Sequence, residues 1–600
     1  MVFSHESTTN KLQMIKLHPL KTTRVLIRNS SLRLNRGRHH SSESRAHHSS
    51  LLNGLVQDLS AHLPRFTSPT NAIKVLKEPS QFYLELLTLI RTAKRRIFIA
   101  SLYVGREETD LIEAMGMALD RNKGIQLTIL VDYLRSTRED SRGERCSASL
   151  LGTLKARFPD RVEIRLFHTS ELFGTLKRLI PRRFDEGFGL QHMKIYGADS
   201  DVIMSGANLS ADYFTNRQDR YVKLSRQKEL SSYLYELIQL TSSISYRLEE
   251  GGGEEAHKLK IVWPETNSSG PPIDSKRASQ EFKATANRLY KGFTERWRLK
   301  LLAQYSNDTT GSSLTRVSIF PTLQISPFKI HHETGLMIPK LLNLVHQLSH
   351  HSPCHRKTIL NWTSGYFSLL REYKSLMLSS NAHVEIITAS PQANGFFQSK
   401  GVSKYIPTAY NYLENMFRKE VVRANKQEQI VIRRWNRVGW TYHAKGIWCR
   451  YGKRCPSVQH RADYIYIYIF VCVCVFISRS METTGLWINE RTTRGEEEGV
   501  LSERCVVTSI GSSNYGRRSA ERDLECNLFM VLDYHSLQEH ELSKEQQQQQ
   551  QQHMNGGESL SRQFIEELDD LKAHLDPLDH HYYHVPFLLK LITRFIRNML

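Results

Sequence analysis

His192 and Lys194 stand two residues apart and are followed by Asp199, Gly206 and Asn208. His443 and Lys445 repeat the pair far downstream, and Gly511 and Asn514 repeat the glycine and the asparagine. Asp219 lies eleven residues after Asn208, and Glu525 lies eleven after Asn514. Doubled in this way, these residue types can form one site for phosphodiester exchange. One imidazole attacks phosphorus while the other protonates the leaving oxygen. Lysine and asparagine neutralise and orient the non-bridging oxygens. A carboxylate on a ring nitrogen fixes the tautomer of an active histidine. With two lysines present, charge neutralisation does not require a metal, and no metal or cofactor is expected. Which histidine attacks stays open from the residues alone.

Such groups need strand ends and tight turns to hold them. Asp201 to Gly206 and Cys505 to Gly511 read as short buried strands closing on a glycine turn, and apolar strands resume at Tyr221 and at Leu528. Upstream, residues 80–96 carry apolar positions at helical spacing, followed by a strand at 97–104, a helix over Asp110–Asp120 and a strand at 125–132. Strand, helix and strand in that order predict a parallel crossover. Arg135 and Arg138 fall just after the second strand, where open α/β sheets commonly bind ligands. The plan recurs at Trp362–Tyr366, Leu369–Leu378 and Val384–Ala389. Tyrosines and phenylalanines beside the motifs read as core.

The motifs and their flanks resemble the phospholipase D superfamily, whose signature is His-x-Lys-x4-Asp-x6-Gly-x-Asn. More narrowly, the chain resembles the eukaryotic CDP-diacylglycerol–glycerol-3-phosphate 3-phosphatidyltransferases. The resemblance is carried by Ile97 to Gly105, Val131 to Arg138, Gln191 to Tyr196 and Gly206 to Ser210 in the first half. In the second half Thr363 to Phe367, Trp440 to Trp448 and Gly511 to Ser519 carry it. It spans roughly residues 70–245 and 295–535. One departure is plain: Arg450, not aspartate, stands five residues after Lys445.

The resemblance implies a phospholipase D-like α/β fold, with two pseudo-twofold-related α/β/α halves sharing one active-site cleft. It implies catalytic roles for His192, Lys194, Asp199, His443 and Lys445, with His192 the nucleophile and His443 the acid/base. Asn208 and Asn514 would hold the reacting phosphate, and Asp219 and Glu525 would orient the histidines. Arg135, Arg138, Arg517 and Arg518 are candidates for the phosphate of the acceptor, because guanidinium binds phosphate bidentately. The implied substrates are CDP-diacylglycerol and glycerol 3-phosphate. A phosphatidylserine synthase, a phospholipase or a nuclease of the same superfamily would share the catalytic residues and differ in the acceptor. An inactive isoform is a further alternative.

The domain plan read from the sequence is a basic, presequence-like and disordered 1–65, a first half over 66–249, a linker over 250–294, a second half over 295–540, and a tail over 541–600. Among 600 residues, 82 Lys and Arg face 61 Asp and Glu, for a net charge of +21. That excess indicates an anionic partner, and a peripheral anionic membrane is expected rather than nucleic acid. Residues 1–50 hold nine Lys or Arg against Glu6 and Glu43, the composition of a mitochondrial presequence. This places the protein in mitochondria, at the periphery of the inner membrane. The eight cysteines form no Cys-x-x-Cys pair, so neither zinc nor a disulfide framework is expected.

Residues 449–500 look foreign. The alternation from Tyr464 to Ile469 is what a TA repeat encodes, and that from Val471 to Val475 is what a GT repeat encodes. A retained intron or gene-model error between the second His-x-Lys and its asparagine accounts for both; the rival reading is a β-hairpin or membrane-dipping loop. Gln546–Gln552 is a solvated low-complexity run. Beyond Pro586, apolar residues alternate with Lys590, Arg594 and Arg597, a pattern suited to an anionic membrane surface.

Overall fold

The computed structural model describes residues 49–139, 146–181, 184–250, 259–307, 316–350, 357–453, 504–532, 559–577 and 585–596. The presequence-like segment up to residue 48, the polyglutamine run and residues 454–500 lie outside these.

Alternating apolar residues in short runs pair into two large sheets. In the first, the strands run in the order Leu259–Val262, Tyr246–Glu250, Val162–Phe167, Gln126–Asp132, Arg96–Ala100, Ile195–Ala198, Asp201–Ser205, Tyr221–Leu224 and Ile73–Leu76. In the second the order is Phe66–Pro69, Arg316–Ile325, Glu525–Leu532, Arg504–Gly511, Lys445–Lys453, Lys357–Ser364, His383–Ala389 and Ile430–Trp435. From Val162–Phe167 to Ile73–Leu76 the pairings are parallel, parallel, then antiparallel throughout. From Ile430–Trp435 back to Arg316–Ile325 the second sheet repeats that succession. The two expected parallel crossovers are therefore present at matching places, and the halves are related by a pseudo-twofold.

Each sheet is covered on its outer face by helices. Pro79–Thr92, Thr109–Arg121 and Ser147–Arg157 bury their apolar stripes on the first sheet. Ile338–His350, Arg371–Ser379 and Ile406–Arg423 do so on the second. A shared middle core takes the inner faces of both sheets together with Lys228–Ser242, Lys276–Asn307 and Leu560–Lys572. This is a layered α/β architecture in which apolar surface is removed from water on both faces of each sheet.

Four expectations about organisation need correction. Residues 49–60, placed in a disordered leader, form a helix, and Leu52, Leu55, Val56, Leu59 and Leu63 pack into the second half's outer core. Phe66–Pro69, assigned to the first half, is an edge strand of the second sheet. The 250–294 linker contains the strand Leu259–Val262 and most of the helix Lys276–Asn307, which buries Phe282, Ala286, Tyr290 and Phe293. Within the 541–600 tail, Leu560–Lys572 buries Phe564 and Leu568 in the middle core. In the three helical segments a buried apolar stripe outweighs the composition that suggested irregular chain.

The foreign-looking stretch also starts later than expected. Cys449–Lys453 continue a central strand of the second sheet, and Tyr451 pairs with Arg504 across it. The chain thus leaves and re-enters the sheet at neighbouring points of one antiparallel pair.

Candidate active site

Each histidine is set by the opposite half. The backbone N–H of His192 donates to the Leu524 carbonyl at 3.0 Å, and that of His443 to the Gln218 carbonyl at 2.8 Å. Leu524 and Gln218 are the residues immediately before Glu525 and Asp219, so these contacts bring each carboxylate across to the other half's imidazole. His192 Nδ1 lies 3.0 Å from both Glu525 oxygens. His443 Nδ1 lies 2.6 Å from Asp219 Oδ2. With Nδ1 on a carboxylate, Nε2 of each ring is the nitrogen turned to chemistry, although Lys445 Nζ also lies 2.6 Å from His443 Nδ1 and 3.1 Å from its Nε2. The two strand pairs that make the crossing are Thr441–Tyr442 on Arg217–Gln218, and a bridge from Gln191 to Leu524.

The lysines follow the same symmetry. Lys194 Nζ donates to the His192 carbonyl at 2.7 Å and Lys445 Nζ to the His443 carbonyl at 2.6 Å. Lys445 Nζ also lies 3.6 Å from Asp219. All eight of His192, Lys194, Asn208, Asp219, His443, Lys445, Asn514 and Glu525 are buried or nearly so. Burial brings Lys194 down to about 7, with Glu525 opposing the shift, and brings Lys445 down to about 8, with Asp219 opposing it. Burial likewise lowers both histidines well below their ordinary value, helped by the neighbouring lysines. It raises Glu525 and lifts Asp219 to about 6. A dry cluster of this kind gains far more from an entering phosphate than a solvated one would.

Glycine is needed at two of the turns. A Cβ on Gly206 would sit 2.6 Å from Asp219 Oδ1, so the carboxylate requires a bare backbone there. Gly511 is at φ +156°, against Asn527. The side-chain oxygens of Asn208 and Asn514 are buried without a hydrogen-bond partner, while Asn208 Nδ2 donates to Tyr213 Oη at 3.1 Å.

Several contributors were not singled out in the sequence. Tyr213 Oη is 3.3 Å from His443 Nε2, and the Tyr366 ring meets the His443 ring edge to face at 5.6 Å. Tyr213 is buried, as expected of core, and Tyr366 partly so, yet both border the imidazole. Asp132 accepts from the Arg135 backbone N–H at 2.9 Å and from that of Gln191 at 3.0 Å, joining the end of a central strand to the His192 segment. Glu333, pushed up to about 8 by burial, accepts from Ser513 Oγ and Asn527 Nδ2 and steadies the turn before Asn514.

Two expected site residues lie elsewhere. Asp199 sits at a turn with φ +51° and accepts from the backbone N–H groups of Lys94, Arg95 and Arg96. The intervening strand Ile195–Ala198 puts it on the order of 15 Å from Lys194. Its carboxylate caps the start of a neighbouring strand, so the second half can carry Arg450 there, bound to Asn361 Oδ1 at 2.6 Å. Arg517 pairs with Glu521 along its own short helix at the surface. Arg135, Arg138 and Arg518 do converge, on Glu186.

His192, Asp523 and Glu525 offer donor atoms within 4.8 Å of one another, a spacing that a cation could bridge. There, however, Glu525 already engages Nδ1, and Arg518 Nε lies 3.0 Å from Asp523 Oδ2. Of the eight cysteines, Cys146, Cys449, Cys505 and Cys526 lie among the described residues, and all four are free thiols.

No protein-family model matches the chain. The CDP-diacylglycerol–glycerol-3-phosphate 3-phosphatidyltransferase of Saccharomyces pastorianus is 34% identical over 542 residues, covering 87% of this chain and 90% of the relative. The human mitochondrial protein of that name is 32% identical over 507 residues, covering 81% and 78%. Among solved structures, a phosphatidylserine synthase from Haemophilus influenzae superposes with a TM-score of 0.55 at 17% identity. That match covers 92% of this chain and all of the other, and it supports the phospholipase D-like fold.

Proposed function

The chain belongs to the family of CDP-diacylglycerol–glycerol-3-phosphate 3-phosphatidyltransferases, and on that premise we propose how its residues carry out the transfer. The enzyme moves a phosphatidyl group from CDP-diacylglycerol to glycerol 3-phosphate and releases CMP. His192 Nε2 attacks the phosphorus on the lipid side. A phosphorus–nitrogen bond forms as the bond to the CMP oxygen breaks, and His443, entering as the imidazolium left by the previous acceptor's proton, delivers that proton to the oxygen. His443 Nε2 then takes the proton of the acceptor's 1-hydroxyl, whose oxygen attacks phosphorus and releases His192. Lys194, Lys445, Asn208 and Asn514 hold the non-bridging oxygens, where developing charge is worth most. Glu525 and Asp219 keep the two rings in the tautomer with Nε2 turned to the substrate.

The observation that carries this reading is the crossed pair of Nδ1–carboxylate contacts on two buried histidines, each beside a buried lysine. The convergence of Arg135, Arg138 and Arg518 favours an acceptor that bears a phosphate over serine. The test uses CDP-diacylglycerol labelled in the lipid phosphate, followed by denaturing gel analysis. Wild-type enzyme should trap a labelled protein and His192→Ala should not, while His443→Ala retains some label. Label in His192→Ala but not in His443→Ala would exchange the two roles. Full transfer activity in both would remove the mechanism.

The name of the human relative includes mitochondrial. We place this chain in mitochondria as well, peripheral on the inner membrane. The basic composition of residues 1–50 supports the compartment. No helix among the described residues is long and apolar enough to cross a membrane. Phe587, Leu591 and Ile592 stand exposed on the helix Phe587–Ile596, which suits an interfacial contact.

A further inference from the structure

Glu186 stands where an anion would bind. Its Oε1 takes Arg138 Nη1 at 3.0 Å and Arg135 Nη1 at 3.4 Å, and Arg518 Nη2 donates to its backbone carbonyl at 3.0 Å. Arg135 and Arg138 follow the end of a central strand of the first sheet, and Arg518 comes from the second half. With Arg522, which donates to the Gly187 carbonyl, four guanidiniums from both halves thus face a single turn, Asp185–Phe188.

That turn lies a few residues before His192, and Asp132 bridges the Arg135 backbone to that of Gln191, beside the histidine. We propose that the Glu186 carboxylate is a resident competitor in the acceptor's phosphate site, displaced when glycerol 3-phosphate binds. This rests on the reading of Arg135, Arg138 and Arg518 as that site.

The charge balance fits a displacement. Asp523 already pairs with Arg518. With Glu186 turned away, Arg135, Arg138 and Arg518 less Asp523 leave two positive charges, and Arg522 on the Gly187 carbonyl adds a third beside them, enough to hold the dianion of a phosphate monoester. The carboxylate shares one oxygen between two partly exposed arginines, an arrangement of low strength. A phosphate offers each fork its own pair of oxygens. Gly189, at φ +125° just after the turn, gives the backbone a pivot that other residues would strain. The competitor also keeps the arginines paired between turnovers, and it disfavours acceptors that lack an anion to displace it.

The experiment is steady-state transfer by the full-length enzyme, with Glu186→Gln as the principal variant. The substitution keeps the side chain's size and removes its charge. Expected is a KM for glycerol 3-phosphate roughly 3- to 10-fold lower, with kcat close to wild type, the size of effect that one partly exposed ion pair can exert. Inorganic phosphate should inhibit at a concentration lower by the same factor. Arg138→Gln should move both quantities the other way. A thermal melt checks folding, and Glu186→Asp, whose shorter reach weakens the same contacts, provides a second route to a lower KM. An unchanged or raised KM in folded Glu186→Gln would overturn the competitor role and leave Glu186 as a brace for the arginines. Should wild-type enzyme fail to place labelled glycerol 3-phosphate in lipid at all, it is the acceptor reading that falls.

Discussion

Asp219→Asn separates the chemistry of the site from its stability. In the native site Asp219 Oδ2 lies 2.6 Å from His443 Nδ1, and Oδ1 accepts the Arg220 backbone N–H at 2.8 Å. An asparagine fits the same space. If its oxygen keeps the Arg220 contact, its NH2 group faces His443 Nδ1. That nitrogen must then accept, and the ring proton moves to Nε2, the atom that should take the acceptor's proton. The analogous change in serine proteases, triad aspartate to asparagine, lowers kcat by about 10⁴. A loss of roughly 10³- to 10⁴-fold in kcat is expected here, about 4–5.5 kcal/mol of transition-state stabilisation. Stability should move the other way. Burial lifts Asp219 to about 6, so at pH 7 its charge is held at a cost on the order of 3 kcal/mol, which the amide does not incur. Lys445, deprived of the anion that raises it, can shed its proton rather than carry a buried unpaired charge. The assay is transfer of labelled glycerol 3-phosphate into lipid, alongside a thermal melt. A folded Asp219→Asn enzyme with kcat within about threefold of wild type would refute the argument that this carboxylate sets the tautomer.

The buried lysines set an alkaline limb. Lys194, near 7, and Lys445, near 8, lose their phosphate-holding charge as pH rises. The limb of kcat/KM should therefore lie near pH 7–8, and that of kcat higher, since bound phosphate retains the protons. Between about pH 7 and 10 the unfolded lysines bind more protons than the folded ones, so stability from these groups rises with pH. A melting temperature that falls along with activity would assign the limb to unfolding instead. Glu567→Ala should destabilise by about 3–5 kcal/mol in urea unfolding, because it leaves the buried Arg220 guanidinium without its bidentate partner at 2.7 and 2.9 Å. Replacing residues 455–502 with a short glycine-containing turn should preserve transfer activity, since Tyr451 and Arg504 are already paired neighbours. Loss of folded protein in that variant would show the stretch to be needed. Exhaustive dialysis against a chelator should leave the rate unchanged, with the lysines in place; restoration of a lost rate by added cation would show otherwise.

What the sequence discloses is what repeats. Both parallel crossovers, the two strands that end at Gly206 and Gly511, and the offset of eleven to Asp219 and Glu525 can be read because each half states them again. The crossing itself is invisible there. No local pattern tells that Glu525 serves His192 rather than His443, because the answer lies in which strand end lies beside which. Tyr213 was legible as buried but not as a neighbour of an imidazole, since burial and site contact leave the same apolar signature. The helices Lys276–Asn307 and Leu560–Lys572 were hidden by polar outer faces and by glycine-rich or glutamine-rich neighbours. Asp199 misled in the opposite direction. It matches the signature, but in this chain it serves three backbone N–H groups that need an acceptor.

The repeat is also broken in one informative place. Four and nine residues after Asn208 stand Asp212 and Arg217, and four and nine after Asn514 stand Arg518 and Asp523. Each pair forms an ion pair at 3.0 Å, with the polarity reversed between halves. Arg217 therefore bears on His443 and Asp523 on His192, and they act in opposite senses. After burial and Lys445, Arg217 further lowers the proton affinity of His443. After burial and Lys194, Asp523 restores some of that of His192, while Lys445 and its own partner Arg518 lower it. The more basic nitrogen is the better nucleophile, and the less basic one gives the stronger conjugate acid. Asp523 alone acts toward attack by His192, and Arg217 toward proton delivery by His443. Two identical halves would make two equal histidines. A chain that carries both halves can make them unequal, and exchanging the polarity at Asp212 and Arg217 should cost more in rate than either residue's distance from phosphorus would suggest.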